Sequence, residues 1–415
     1  MKIAIIGTGI SGLGAAYLLN PHHDITVYEK DTRPGGHSRT IDITPGDRPV
    51  AVDTGFIVLN DRNYPNLNGL FRHLNVPIQK SDMSFGASID DGFLEYGSKG
   101  MFAQARNLLR PAYWGMILDI LRFNRKAVAY LDRTDDITLS ECLDELRMGE
   151  WFRRYYLQAM GAAIWSCSVE TILKFPARTF IRFFHNHGLL TVNGHPQWYT
   201  VTGGSRVYVE KLTASFGNKI RLGCGAVSVT RAQDGVSVTD TTGYTEKYDH
   251  VVFACHGDQA LKILKDADTK ERTILGAFTY QKNHVVVHGD ASLMPARRRA
   301  WASWIYLSEK KRDENPSVSL TYWMNNLQNL PTEHDVFVTL NPGRMPAAHL
   351  IHDRHDFDHP VFTRQSVQAQ SEMESIQNVN RVSFCGAHLR YGFHEDGLLS
   401  AVNVARRLGA DIPWA

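Results

Sequence analysis

Cysteine is sparse in this chain: five residues, Cys142, Cys167, Cys224, Cys255 and Cys385, lie scattered over 415 positions with no Cys-x-x-Cys pair. That spacing argues against a disulfide framework and a zinc site, and points to reduced thiols in a cytoplasmic protein. A charge excess is missing too. With 45 Lys+Arg against 43 Asp+Glu, bulk electrostatics do not draw the chain to nucleic acid. No apolar run approaches the ~20 residues of a membrane-spanning helix. The opening residues read directly as a strand, so no signal peptide is expected ahead of them.

What is present begins at that strand. Lys2 to Ile6 is apolar, a turn carries Gly7, Gly9 and Gly12, Ser11 to Leu19 reads as a helix, and a second strand, Asp24 to Tyr28, ends in Glu29. This is a nucleotide-binding βαβ start. Gly7 allows a sharp turn, Gly9 lets a pyrophosphate reach bare backbone amides, and Gly12 lets the helix pack closely on its strand. The diphosphate then lies on the helix N-terminus, where unpaired N–H groups and the macrodipole favour negative charge. Ile10 and Ser11 open that helix. Glu29, 17 positions beyond Gly12, can accept both hydroxyls of an adenosine ribose, with Lys30 beside it. Gly35 and Gly36 follow in Arg33-Pro34-Gly35-Gly36-His37-Ser38-Arg39, a second place where backbone approaches a ligand.

Taken together, this run resembles the extended fingerprint of the amine-oxidase-like flavoproteins, the superfamily of monoamine oxidases, phytoene desaturases and protoporphyrinogen oxidase. The resemblance implies FAD: the glycine pair serves its diphosphate, with His37 and Ser38 alongside. It also implies that the small-residue corner Thr54-Gly55-Phe56 lies against the flavin ring, that Val227 meets the adenine through backbone atoms, and that the Ala254 corner closes over the nucleotide. Near the C-terminus, the strand Arg381 to Ala387 resembles the family's second flavin motif. There Gly386 is expected at the diphosphate and the helix start Gly397-Leu398-Leu399 at the pyrimidine edge of the ring. The expected fold is therefore α/β, a discontinuous Rossmann-like FAD-binding domain of the glutathione-reductase type (residues 1–75, 200–265 and 380–415), with an α+β substrate domain (76–199 and 266–379).

The substrate domain is read from composition. From about Ser81 aromatic residues crowd together (Phe85, Phe93, Tyr96, Phe102, Tyr113, Trp114, Phe123, Tyr130) with Arg106, Arg110, Arg122, Arg125 and Lys126 among them. Met116 to Leu131 has helical periodicity and Thr138 with Glu141 reads as a capping box, so a largely helical layer is expected. It serves either as plain core packing or as a basic-aromatic surface that touches anionic lipid at the inner face of the membrane. Gln281 to His288, Ala300 to Leu307, Ser317 to Met324 and Val336 to Leu340 read as strands of an antiparallel sheet. In the resembled amine oxidases a lysine on the first such strand bridges to the flavin through water. A one-residue shift decides whether Lys282 or Asn283 takes that place here. Tyr391 to Asp396 falls where substrate would meet the ring, so Tyr391, His394 and Glu395 join Lys282 as catalytic candidates. His394 and Glu395 either relay a proton or bond the loop to itself.

No second strand-turn-helix of the GxGxxG kind is present, so the substrate rather than a nicotinamide is expected to supply the hydride. Asp53 to Phe56, Ser81 to Phe85, Met160 to Ser166, Phe175 to Arg178 and Tyr391 to Gly397 resemble a bacterial group of FAD-binding oxidoreductases similar to the flavin domain of plant cyclopropane fatty acid synthases. That resemblance implies a lipid acyl substrate and desaturase- or isomerase-like chemistry. An amine oxidase working on a small molecule is the alternative. A third reading is a flavin-bound accessory protein of a lipid-modifying partner enzyme.

Overall fold

The computed structural model describes residues 1–135, 137–165, 169–191, 194–308 and 318–414. Cys167, Ser166 of the Met160 to Ser166 motif and Ser317 of an expected strand lie outside them. Among the described residues, β1 (Lys2–Ile6), β2 (Asp24–Tyr28), β3 (Ile220–Arg221), β4 (His250–Phe253) and β5 (Val382–Phe384) form a parallel sheet in the order β3-β2-β1-β4-β5. Lys-Ile-Ala-Ile-Ile and His-Val-Val-Phe are near-continuous apolar runs because both faces of such a sheet are covered. The helices that position the site are α1 (Ile10–Leu19), α2 (Pro65–His73), α3 (Pro111–Lys126), α4 (Ala177–Asn186) and α5 (His394–Arg407).

The two ends of the chain meet through missing side chains. A Cβ at Gly12 would sit 1.9 Å from the Gly7 carbonyl oxygen, which fixes how closely α1 follows its strand. A Cβ at Gly14 would sit 2.7 Å from Leu398 Cδ1, and one at Gly397 2.8 Å from Ile10 Cγ2. Helix α5 therefore packs directly on α1, and β5 completes the parallel sheet beside β4. Next to this layer Ala226–Ala232, Gly235–Asp240 and Thr245–Tyr248 pair antiparallel.

A second, mostly antiparallel sheet runs from Ile351–Val361 through Thr279–His288, Phe337–Leu340, Val318–Trp323 and Trp304–Ser308 to Phe85–Ile89 and Leu94–Gly97. The last two strands, with Ile78–Ser81, correct the expectation of a helical layer from Ser81 onward. Asp90, Asp91 and Gly92 all take positive φ (49°, 55° and 78°), the conformation of a tight hairpin turn, so Phe85 and Tyr96 on either side of them are strand residues. The helical layer starts later. Helix α3 begins at Pro111, where proline's missing N–H costs nothing, and runs to Lys126, with the chain continuing as a 3-10 helix over Ala127–Asp132. The Thr138 capping box is present: Thr138 Oγ1 accepts from the Glu141 N–H (3.2 Å) and the Glu141 carboxylate from the Thr138 N–H (2.7 Å). Behind these helices lies an aromatic core that includes Tyr113, Phe123, Phe152, Phe180 and Phe184.

Two helix glycines should respond oppositely to alanine. Gly12→Ala forces backbone apart and is expected to lower unfolding free energy by about 1–3 kcal/mol. Gly115, on the exposed face of α3 with nothing within 4 Å of its Cβ position, should gain about 0.5–1 kcal/mol. Denaturant melts of the two variants check this; equal shifts would contradict the packing described.

Candidate active site

Strand order reverses between β1 and β4, which opens a crevice at their carboxyl ends. Gly7 turns there with φ +106°, and a Cβ on it would lie 2.8 Å from the Ala254 carbonyl oxygen. Gly9 is the N-cap of α1. It makes no side-chain cap, the first turn carries no acid, and nothing lies within 4 Å of its Cβ position, so the helix N-terminus is bare. Gly36 (φ +55°) comes so close that its Cβ would be 3.0 Å from Gly9 Cα. Arg33 fixes that second loop by donating to the carbonyls of Gly36 (2.9 Å) and Ser38 (3.1 Å), and the Gly35 N–H donates to the Thr8 carbonyl (3.0 Å). Glu29 is buried at the lip, accepting from the N–H groups of Thr8 and Asp31 (2.9 Å each) and from the Thr8 hydroxyl. A carboxylate has about four lone-pair sites, so capacity remains for a ribose hydroxyl. Bare amides, the positive end of α1 and a buried acid fit the diphosphate and ribose of FAD.

The other expected cofactor residues divide into two groups. Ile10 and Ser11 are buried in the first turn of α1, and Lys30 is exposed beside Glu29. Gly55 and Phe56 lie on His37, and Thr54 on Arg39: the Phe56 N–H donates to the His37 carbonyl (2.8 Å), a Cβ on Gly55 would be 2.1 Å from that oxygen, and the Thr54 N–H donates to the Arg39 carbonyl (2.9 Å). Val227 sits at a β-bulge where the register skips from Ala226 to Ser228, and it is 44% exposed, so its backbone is left off the ladder. Ala254 donates to the Ile6 carbonyl across the crevice, and the Gly386 N–H is taken by Ser400 Oγ (2.8 Å). Gly397 and Leu398 pack on α1, Gly397 as the close-approach point and Leu398 as a fully buried residue, while Leu399 stays half-buried.

Where the crevice meets the antiparallel sheet, four histidines gather. His37 stacks on Phe357 (4.7 Å between centroids) and lies 5.4 Å from His359 and 6.3 Å from His256. Burial, then the neighbouring imidazoles His359, His256 and His394, holds His37 well below its ordinary range. Burial likewise lowers His359 to about 4 and His394 to about 3. All are neutral near pH 7. One tautomer is fixed by a chain of bonds that starts at an unambiguous donor. The His284 backbone N–H donates to Asn341 Oδ1 (2.8 Å), so Asn341 Nδ2 donates to Asn283 Oδ1 (2.7 Å) and Asn283 Nδ2 to His359 Nδ1 (2.8 Å). His359 therefore carries its proton on Nε2. The sequence reading passed over His256, Phe357 and His359. The period-two alternation Asp353, His355, Phe357, His359 was the available signal, hidden in a segment polar enough to read as loop.

The four catalytic candidates stand in different surroundings. The Lys282 side chain is 69% exposed and 3.6 Å from Asp356, whereas Asn283 is fully buried. Register with Ile351–Val361 turns the amide inward and the lysine to solvent. Glu395 caps a helix: its carboxylate accepts from the N–H groups of Asn66 (3.0 Å) and Leu67 (2.9 Å) at the start of α2. Asp396 accepts from the N–H groups of Phe393 (3.0 Å) and Tyr391 (3.3 Å). His394 stacks on Phe56 (3.8 Å, 10°), and its Nε2 meets Ser38 Oγ and Tyr208 Oη at 2.9 Å each. It is too weak a base in that surrounding to hold a proton near neutrality. Tyr391 faces a cavity on the outer side of the same turn. Among the described residues no group of three or more His, Cys, Asp or Glu could hold a metal ion.

A family model described as flavin containing amine oxidoreductase matches residues 10–282. No curated protein matches the chain. Among solved structures it is similar to a CLA-producing fatty acid isomerase from P. acnes (13% identity, TM-score 0.68, 98% of each chain covered). It is also similar to cyclohexylamine oxidase from Brevibacterium oxydans IH-35A (15%, 0.66, 98% of this chain and 99% of that one). A third similar structure is reduced UDP-galactopyranose mutase (16%, 0.67, 100% and 97%). At these identities the likeness establishes the fold.

Stability should fall on acidification. His187, His250, His288 and His359 are lowered to about 4, and His388 and His394 to about 3, each by burial. The unfolded chain therefore binds more protons than the folded one below about pH 6.5. Asp53 and Asp396, raised by burial to about 6, act in the opposite sense between about pH 4 and 6 but are fewer. Unfolding free energy is expected to drop steadily from pH 6.5 to 4; a flat or rising profile in denaturant titrations would contradict the neutral histidines.

Proposed function

The chain belongs to the flavin-containing amine oxidoreductase family, and on that footing we propose that it takes a hydride from an activated C–H bond of a lipid acyl chain, as a desaturase or isomerase. It is an FAD-dependent oxidoreductase. When bound, FAD supplies the two-electron chemistry, taking the hydride and either returning it to the chain at another carbon or passing the electrons to dioxygen or a quinone.

The observation that carries the reading is the register of Thr279–His288. A neutral amide, Asn283, occupies the inward position, where the resembled amine oxidases keep a lysine. Asn283 orients His359 so that Nε2–H is offered as an uncharged donor. The neutral imidazoles and the buried aromatic cluster of Trp165, Phe175, Phe183 and Phe362, with the half-buried Phe393 packed against it, favour hydrocarbon over an ammonium group. The motifs that resemble the flavin domain of plant cyclopropane fatty acid synthases support the same substrate class. So does the likeness to the fatty acid isomerase. Amine oxidation is the second reading, favoured by the likeness to cyclohexylamine oxidase.

The helical layer supports a place at an anionic bilayer surface. Trp114 (43% exposed), Leu118 (64%) and Leu121 (49%) recur along one side of α3, Leu109 (86%) precedes them, and Arg106, Arg125 and Lys126 are exposed nearby. An apolar stripe flanked by cations suits the headgroup boundary. Among the described residues no helix is long and apolar enough to span a membrane, so contact is peripheral.

Anaerobic mixing of yellow protein with fatty acid, phospholipid and amine panels should bleach the flavin with acyl substrates. His359→Ala and Asn283→Leu should slow bleaching about tenfold or more, and Lys282→Met should leave it unchanged. Bleaching by amines alone, or its loss in Lys282→Met, would favour the second reading; reduced flavin silent toward every acceptor, with a partner co-purifying, would favour an accessory role. In co-sedimentation, vesicles containing phosphatidylserine should retain the protein and neutral vesicles should not, and Leu109→Asp with Leu118→Asp should abolish retention. Equal partitioning between the two vesicle types would rule out the docking surface.

A further inference from the structure

On the outer side of the Tyr391 turn, a cavity of about 340 Å³ is lined by Arg178, Thr179, Arg182, Gln370, Arg390 and Tyr391. Helix α4 explains two of the arginines. Its buried face is Ala177, Phe180, Ile181, Phe183 and Phe184, and Arg178 and Arg182, four residues apart, stand together on the opposite face. The third comes from the C-terminal turn. Gln370 Nε2 donates to the carbonyls of His388 (2.9 Å) and Arg390 (2.6 Å), which clamps that turn and sets Arg390 at the cavity.

The charge in this cavity is poorly matched. Arg178 donates to the Arg133 carbonyl (3.3 Å) and Arg182 to the Leu131 carbonyl (3.5 Å), neutral acceptors that use one of the five N–H groups each guanidinium carries. Arg390 lies 3.8 Å from Asp396, a carboxylate already engaged with two backbone N–H groups. Burial raises the Tyr391 hydroxyl above its ordinary value, while Arg390 and Arg182 oppose that rise, so both cations face the same wall. From there aromatic rings lead inward. Tyr391 lies 6.2 Å from Phe183, Phe183 stacks on Phe393 at 5.0 Å, and the next residue, His394, stacks on Phe56 at the expected flavin corner.

We propose that this cavity is the headgroup site of the enzyme, in which Arg178, Arg182 and Arg390 hold the oxyanion at the end of an acyl chain while the chain runs past Phe183 and Phe393 toward Phe56. The proposal rests on the acyl-chain reading above. Its chemistry is that of a carboxylate or phosphate, planar or tetrahedral oxygens that guanidinium groups bind through paired, charge-assisted hydrogen bonds. A free fatty acid and a lysophosphatidate both end this way.

Calorimetric titration of the oxidised holoprotein with oleate, oleoyl lysophosphatidate, methyl oleate and inorganic phosphate separates the cases. One of the two anionic lipids should bind about tenfold or more tightly than methyl oleate, the loss expected for one charge-assisted hydrogen bond, and the tighter one names the source. Arg178→Gln with Arg182→Gln should erase that preference, and Arg178→Lys with Arg182→Lys should retain part of it, both with flavin absorbance and melting temperature unchanged. Methyl oleate binding as tightly as oleate, phosphate binding as tightly as either lipid, or a glutamine variant that keeps the anion preference would overturn the site. Oleate that binds through the arginines without bleaching the flavin would leave the site standing and refute acyl oxidation. Bleaching by methyl oleate that is insensitive to the arginines would do the reverse.

Discussion

Close backbone approach is the constraint on which this molecule depends. At Gly12 a single methyl group would be 1.9 Å from the Gly7 carbonyl oxygen, and at Gly14 and Gly397 one would collide with the partner helix. Because these side chains are absent, α1 lies tight against β1 and α5 lies tight against α1. The N-terminus of α1 is thereby left bare beside a second glycine loop, and the last segment of the chain is locked to the first. The cradle that receives an anion and the packing that closes the fold come from the same geometric allowance.

The second theme is burial without charge. The histidines around His37 are kept neutral by desolvation and by one another, and a run of amides starting from one backbone N–H fixes where His359 holds its proton. Three buried carboxylates hold the frame instead: Glu395 caps α2, Asp396 ties the Tyr391 turn, and Asp53 gathers Ser205, Thr40 and Gln328. The interior facing the expected flavin corner is thus polar enough to orient and too weakly basic to hold fixed ions. Cations are concentrated on the outer side of the same turn, where Arg178, Arg182 and Arg390 stand. A substrate with an oily body and an anionic end matches that division.

Local features were legible in the sequence. The glycine loops, Glu29, the β5 strand and the Thr138 capping box each depend on residues within a few positions, and they appear where their spacing puts them. Features set by distant pairing were not. Whether Lys282 or Asn283 turns inward depends on register against Ile351–Val361, and the role of Glu395 depends on α2, over 300 residues earlier in the chain. The strands between Ile78 and Gly97 were masked by aromatic composition, although Asp90-Asp91-Gly92 marks their turn. His359 sits in a strand so rich in Asp and His that only its alternation reveals an inward face.

The central claim is that the hydride leaves an acyl carbon. The most direct measurement is the anaerobic rate of flavin bleaching on rapid mixing with oleate and with perdeuterated oleate. Bleaching that slows on deuteration is the result predicted. Identical rates for the two, or no bleaching by either, would contradict it.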